Sequence, residues 1–545
     1  MGPVSPEDID APDPLQRFGE VRRELEARMP ESHISPTLDR IRMLTQFLGD
    51  PQREFPVIHV TGTNGKTSTA RMIESLLRSF GLHTGLITSP HLSDLRERIC
   101  LDGEPLTVEA FLAIYDEVAP VLAMADDASE LEGGPPLSFF EVMTGLGFAA
   151  FADAPVDVAV VEVGMGGTWD ATNVADGQVA VIMGVGLDHS DYLGDSLAEI
   201  AGEKAGIIKP TSSVVLAAQD DEAMEVLAAA ALQMEAPTVV EGIHFGVLER
   251  VVAVGGQQLT LRGLGADYPE VFLPLFGAHQ ARNAVAALAA VESFFGITGS
   301  PDGGGSSVGG GAAAGPTGLP PTAPIDIRGA GGSPRGGPHA SAGTGAGTPA
   351  SAPDLPAPLP DRRLDPAAVR AGLAAVTSPG RLEVVRRAPT VVVDAAHNVP
   401  GARALADAVA DSFAFTSSVG VVGILAGKDA AGIIAALDPV VDRLVVTRSS
   451  SPRALPVADL AAIAADVLGD DRVVGVDRLD EAIEHAIELA ELGAPAGVGA
   501  GVLVTGSVTI VGEARLLLGA ESGHETGGTR SDRGAPRGRA WGDQE

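Results

Sequence analysis

Cysteine is almost missing. Cys100 is the only one in 545 residues, which excludes an intramolecular disulfide framework and fits a reducing compartment. Basic residues are scarce too, 37 against 72 acidic ones for a formal net charge of −35. That balance argues against a nucleic-acid partner, because phosphate backbones are gripped by clustered lysine and arginine. A nucleotide needs only a few well-placed cations and is not excluded. No apolar run reaches the roughly 20 residues that cross a bilayer. The first residues, with Pro3, Pro6, Asp8, Asp10, Asp13 and Pro14, lack the basic-then-apolar order of a signal peptide. A cytoplasmic protein with no membrane partner is expected.

Aliphatic residues nearly vanish between Gly296 and Asp361, where Gly, Pro, Ala, Ser and Thr dominate. Such a stretch cannot bury enough apolar surface to offset its chain entropy. A disordered insertion is therefore expected over 296–363, with a disordered start over 1–14 and a disordered tail over 520–545. Elsewhere the 45% hydrophobic content supports sizeable cores.

The most informative stretch is Val57 to Ser68, Val-Ile-His-Val-Thr-Gly-Thr-Asn-Gly-Lys-Thr-Ser. A short apolar run enters a glycine-rich turn and leaves it as a helical pattern, Thr69 to Phe80. Gly62 and Gly65 let the backbone turn tightly and aim its N–H groups at an anion, which the positive end of the following helix also attracts. Lys66 would reach the terminal phosphates, and the Thr67 hydroxyl would stand where magnesium needs an oxygen. Val60 occupies the place where the common phosphate-loop motif has glycine. A glycine-rich turn without a ligand is the competing reading.

Apolar runs at Thr84–Thr88, Val156–Val163, Val179–Val185 and Val214–Ala217 alternate with helical patterns at 108–124, 139–151 and 221–235. Continuous apolar strands of this kind belong to a parallel sheet buried on both faces, with ligands at the carboxyl ends of its strands. An antiparallel ribbon over 244–262 and a helix over 280–295 follow. A second series begins near Arg381, with strands at Thr390–Val393, Val419–Ile424, Leu444–Thr447 and Val502–Thr505. The expected fold is α/β: an N-terminal P-loop ATPase-type parallel-sheet domain, 1–377, and a smaller C-terminal Rossmann-like α/β domain, 378–519.

Several polar residues sit at strand ends. Glu162 would emerge at the mouth of the sheet and suits magnesium, although a strand-end acid facing solvent is the plainer reading. His189 shares that address and could equally be a satisfied structural histidine. Ser89 reads as a turn residue and Lys204 as a solvated helix lysine when each is taken alone. Asn398 with Pro400 reads as a helix start, and Arg381 as either a phosphate-seeking cation or a turn residue.

Taken together the strings are more specific. Thr61-Gly-Thr-Asn-Gly-Lys-Thr, Thr88-Ser-Pro-His-Leu, Phe139-Phe-Glu, Val161-Glu-Val-Gly-Met-Gly-Gly-Thr-Trp-Asp-Ala-Thr-Asn, Leu187-Asp-His, Glu203-Lys-Ala-Gly-Ile, Pro379-Gly-Arg, Asp394-Ala-Ala-His-Asn and Gly427-Lys-Asp occur in one order. This resembles the folylpolyglutamate synthase and dihydrofolate synthase family within the Mur ligase superfamily, over roughly residues 33 to 518 apart from the insertion. The resemblance implies an ATP-dependent amide ligase with ATP and Mg2+ as cofactors. L-glutamate and dihydropteroate or folates are its implied substrates, and the chain would act as a monomer. It places Gly62, Thr63, Asn64, Gly65, Lys66, Thr67 and Ser68 on the ATP phosphates, with Asn283, Arg381 and Asp394 as further nucleotide contacts. Ser89, Glu162 and His189 would hold the metal. Lys204 would be carbamylated, and Lys66, Lys204, Arg381 and His397 would carry the chemistry. Phe139, Phe140, Glu141, Trp169, Asp170 and Ala171 would meet the pterin-bearing substrate. Thr168 stands where many relatives carry arginine, and Gly427 where an aspartate is common. Another Mur-type amino-acid ligase and a non-catalytic ATP-binding protein are the alternative readings.

Overall fold

A computed structural model describes residues 13–30, 36–188, 190–298, 363–495 and 499–520. Residues 1–12 of the expected disordered start, the bulk of the expected insertion, the expected tail from 521 and His189 lie outside the described residues, while Asp13 and Pro14, expected in the disordered start, cap and open the helix Pro14–Glu26.

Strands are numbered in chain order. The first sheet holds β1 (Val57–Thr61), β2 (Thr84–Ile87), β3 (Ile99–Leu101), β4 (Glu104–Pro105), β5 (Val158–Glu162), β6 (Gly177–Ile182), β7 (Ser213–Leu216) and β8 (Thr238–Val240). Its order is β4-β3-β2-β5-β1-β6-β7-β8. The strands from β2 to β8 pair in parallel, while β3 and β4 add antiparallel at one edge. β1 and β5 lie centrally and every residue in both is buried. This accounts for their unbroken apolar runs, since helices cover both faces of a parallel sheet.

The two faces of β1 divide the core. Ile58 and Val60 pack with Ile73 of the helix Lys66–Ser79 and with Ala284 and Leu288 of the helix Ala278–Phe294. Val57, on the opposite face, joins Phe148 and Phe151 of the helix Phe139–Asp153 and Ile41 and Leu44 of the helix Asp39–Phe47. Each such fully buried aliphatic or aromatic side chain is worth about 1.5–3 kcal/mol relative to exposure. The helix Phe139–Asp153 starts at a capping box in which Ser138 and Glu141 satisfy each other's backbone N–H groups.

The ribbon expected over 244–262 is present as β9 (Gly246–Ala253) and β10 (Gly256–Arg262), but a third strand, β11 (Asp267–Leu273), pairs with β10. Pro269 masks this strand in the sequence. It is tolerated because β11 is an edge strand in the order β11-β10-β9.

The C-terminal sheet contains β12 (Glu383–Arg387), β13 (Thr390–Asp394), β14 (Ser417–Val422), β15 (Arg443–Val446), β16 (Val473–Gly475) and β17 (Ala500–Thr505) in the order β12-β13-β17-β14-β15-β16. All pairs are parallel except β12 with β13. Inserting β17 between β13 and β14 creates a change of winding direction, and the carboxyl ends of these three strands meet the cleft there. The expected fold class therefore holds for both sheets.

Candidate active site

The carboxyl ends of β1, β5 and β6 and those of β13, β14 and β17 face one cavity of about 940 Å³. β1 delivers the phosphate loop. Gly65 has a φ of +85°, and a Cβ there would lie 2.7 Å from Asn283 Oδ1, so a side chain at this position would be strained and crowded. Thr63 N–H donates to the Gly184 carbonyl at 3.0 Å, and its hydroxyl donates to the Gly186 carbonyl at 2.9 Å. The loop is thereby held by the backbone that follows β6. Lys66 Nζ folds back onto the carbonyls of Gly62 and Thr63 at 3.1 and 3.2 Å. Desolvation lowers its pKa, while the Glu162 carboxylate pulls the other way.

Glu162, 1% exposed, accepts the Thr67 hydroxyl at 2.8 Å on one oxygen and the Ser89 N–H at 3.2 Å on the other. Burial raises its pKa, and Lys66 opposes that shift. Thr67 is thus the loop hydroxyl beside the acid. Ser68 is buried and turned to Ser378 Oγ at 3.1 Å, and it accepts from Gln280 Nε2 at 3.3 Å. The loop that follows Ser89 reaches across to the C-terminal sheet, where Leu92 packs on the core containing Val511.

Lys204, in the helix Leu197–Ala205, is 3% exposed and donates to the Gly62 carbonyl at 3.0 Å. Burial first, and the nearby Lys66 charge second, push its pKa down to about 7. The expectation of a solvated helix lysine fails here, since the helix turns Lys204 under the phosphate loop.

From the other side come Arg381, Asp394 and His397. Asp394, at the end of β13, accepts the N–H groups of Leu382 and Ala396, each at 2.8 Å. Burial raises its pKa and the positive charge of Arg381 opposes the shift. His397 Nδ1 lies 2.9 Å from the Ala395 carbonyl, which can only accept, so the proton sits on Nδ1. Burial, then the Lys428 charge, hold its pKa down to about 4. The ring is neutral around pH 7, with a lone pair on Nε2. Asn398 caps the helix Val399–Ser412 by accepting from Gly401 N–H at 2.8 Å.

The residues expected on the acceptor substrate divide. Phe140, Glu141, Trp169, Asp170 and Ala171 line the cavity. Phe139 does not belong with them. It is 8% exposed, packs in the core and lies under the Arg98 guanidinium, 4.9 Å from its ring centre. Neighbouring residues on a helix point about 100° apart, so Phe139 and Phe140 cannot share one face. Glu141 is already engaged, accepting Ser138 N–H at 2.8 Å and Arg40 Nε at 3.1 Å. Asp170 likewise accepts Met165 N–H at 2.8 Å and the Thr172 hydroxyl at 2.5 Å. Both acids shape the wall through the backbone they hold.

Asp188, Lys428, Arg453 and Ser507 also line the cavity and were not singled out as site residues from sequence. Asp188 and Lys428 were within reach of that reading, standing inside the quoted Leu187-Asp-His and Gly427-Lys-Asp strings. Arg453 follows Ser451-Pro452 beyond β15 and carries no comparable local signal.

Two family models match the chain: the Mur ligase middle domain over residues 141–291 and the Mur ligase glutamate ligase domain over residues 380–508. The chain is 45% identical over 527 residues to the dihydrofolate synthase/folylpolyglutamate synthase of Mycobacterium tuberculosis, a match spanning 94% of this chain and 96% of that protein. It is 31% identical over 433 residues to the folylpolyglutamate synthase of Lacticaseibacillus casei, spanning 79% and 86%. Among solved structures it resembles Mycobacterium tuberculosis folylpolyglutamate synthase complexed with ADP and AMPPCP. The TM-score is 0.78 at 44% identity, over 93% of this chain and 99% of that one.

Proposed function

Because the chain belongs to the dihydrofolate synthase/folylpolyglutamate synthase family, we propose that it forms an amide between L-glutamate and a pterin-bearing carboxylate, drawing on ATP. It is an ATP-dependent carboxylate–amine ligase. The acceptor is dihydropteroate, the glutamyl tail of a folate, or both. The observation that carries this reading is the convergence of a phosphate loop with its buried acid, Glu162, and the charged residues of a second sheet on one cavity.

The carboxylate of the acceptor attacks the γ-phosphorus of ATP, the bond from that phosphorus to the bridging oxygen breaks, and ADP leaves with the electron pair. An acyl phosphate remains. The amine of L-glutamate then attacks the activated carbonyl carbon, loses a proton, and phosphate departs. The turn from Asn64 to Thr67 presents backbone N–H groups to the phosphates, Gly62 and Thr63 shape it, and Lys66 and Arg381 place positive charge where the transferred group gathers negative charge. Asn283 and Asp394 contact the nucleotide. Phe140, Trp169 and Ala171 form the wall for the pterin-bearing acceptor, and His397, neutral with a free Nε2 lone pair, faces the amine.

The oxygen set fits a magnesium ion. A carboxylate whose pKa is raised by burial lies against a loop hydroxyl at the mouth of the phosphate loop, where a hard cation would offset the cost of burying its charge. Glu162, Ser89, His189 and the Thr67 hydroxyl would hold the ion, and it would neutralise phosphate charge. Lys204 with its depressed pKa is a neutral amine above about pH 7, the form that adds to carbon dioxide. The resulting carbamate would set a negative charge beside Lys66.

The reading includes a nucleotide-binding half, 1–377, and a glutamate-ligase half, 378–519. It includes a monomer in the cytoplasm, and among the described residues no helix is long and apolar enough to cross a membrane. The test is purified protein with ATP, magnesium and labelled L-glutamate, offered dihydropteroate and tetrahydrofolate in separate reactions. Labelled amide from at least one acceptor is expected. ATP binding with no amide from either would refute the folate-ligase reading while leaving the nucleotide site in place.

A further inference from the structure

Asp188 lies in the loop beyond β6, and its side chain is only 9% exposed. Two side chains from separate loops of the C-terminal half converge on it. Lys428, which follows β14, places Nζ 2.5 Å from Oδ1. Asn398, which follows β13, donates from Nδ2 to Oδ2 at 2.9 Å. Asn398 also exchanges amide hydrogen bonds with Asn64 of the phosphate loop, at 3.2 and 3.3 Å. His397, next to Asn398 in the chain, stands with Nε2 3.9 Å from Asp188. One carboxylate of the N-terminal sheet therefore ties two loops of the C-terminal sheet to the turn that holds phosphate.

A mostly buried ammonium and carboxylate are costly apart, so removing one leaves the other uncompensated and free to move toward water. The Lys428–Asp188 pair is 15% and 9% exposed, which places it in this class and not among solvent-screened surface pairs. Its consequence is geometric. The amine of an incoming amino acid must meet the activated carbonyl within a fraction of an ångström of the productive position, and two C-terminal side chains that line the cavity, Lys428 and His397, stand at or beside Asp188.

We propose that Asp188 is a positioning residue for the second half of the reaction. It fixes Lys428 and, through Asn398, His397 where L-glutamate meets the acyl phosphate. The hydrogen bonds of Lys66 to Gly62 and Thr63 and of Glu162 to Thr67 are made without it. In the step it serves, the nitrogen lone pair of the amine forms the C–N bond, the C–O bond to phosphate breaks, and phosphate takes the electron pair as the amine gives up a proton. If the amine is misplaced, water takes its role and the acyl phosphate is spent without amide.

This inference rests on the ligase reading, and the two fail differently. The measurement is the ratio of ADP to amide formed with saturating acceptor, in wild type, Asp188→Ala and Lys428→Ala. Wild type should give a ratio near one, and both variants about three or more. The KM for L-glutamate should rise about tenfold and that for ATP change by less than about twofold. The double variant should uncouple no more than the stronger single one, because both changes break one interaction. A purely structural role would lower ADP and amide together, and an unchanged ratio in the variants overturns the proposal. Should Asp188→Ala not fold, Lys428→Ala carries the same test, since it removes the other partner. No amide from wild type would instead contradict the ligase reading itself.

Discussion

A Lys66→Ala variant should lose turnover by about a thousandfold or more, the cost of removing a preorganised charge from a developing anion, while its thermal midpoint stays close to wild type. The structure explains both halves of that result. Among the described residues Lys66 Nζ donates to the neutral carbonyls of Gly62 and Thr63, which are modest partners for an ammonium and are readily exchanged for phosphate oxygens. Losing them costs the fold little. Desolvation lowers the Lys66 pKa, and the charges of Glu162 and Asp188 counter it. A bound triphosphate would add negative charge and favour the ammonium further. Single-turnover ADP formation at saturating ATP is the check, and a variant within tenfold of wild type would remove Lys66 from the phosphoryl transfer.

Loss of the Lys204 amine should lower kcat by about a hundredfold, the scale found for residues that support a metal's ligands, and its effect has a distinctive dependence on pH and carbon dioxide. Burial and the Lys66 charge set the Lys204 pKa at about 7 instead of 10.5. The ammonium predominates below that value and cannot add carbon dioxide. Above it the neutral nitrogen would attack the carbon and lose a proton to give a carbamate. Its negative charge would turn the repulsion between Lys204 and Lys66 into attraction. Activity should therefore be low in carbon-dioxide-depleted buffer, and bicarbonate should restore it above about pH 7 but progressively less as the pH drops through that value. A carbamate resonance in 13C NMR with labelled bicarbonate should be present in wild type and missing from Lys204→Ala. Activity indifferent to bicarbonate, with no such resonance, would leave Lys204 as an unmodified amine under the loop.

Much of this site was legible because its parts are local. Val57 to Ser68 carries strand, turn and helix in one stretch, and Glu162 sits at the end of a run that only a doubly covered strand explains. Other features were hidden for physical reasons. β11 contains Pro269, which reads as a strand breaker until its edge position is known. The orientation of Phe139 against Phe140 depends on how the helix Phe139–Asp153 rolls on the sheet, a tertiary matter. The plain reading of Lys204 as solvent-exposed was overturned because the helix Leu197–Ala205 docks beneath Gly62. Asp188 gains its meaning only when Asn398 and Lys428, more than 200 residues away in the chain, are folded against it. Distance in sequence, not weakness of the contact, concealed it.

Phosphoryl transfer to the acceptor carboxylate, followed by displacement by the amine, is the central claim. The most direct measurement is to supply the acceptor with 18O in its carboxylate, together with ATP, magnesium and L-glutamate, and to analyse the phosphate released. The acyl-phosphate route predicts one 18O atom in each phosphate for every amide formed, because the attacking carboxylate oxygen leaves on phosphorus. Amide formation with phosphate free of 18O would contradict the account.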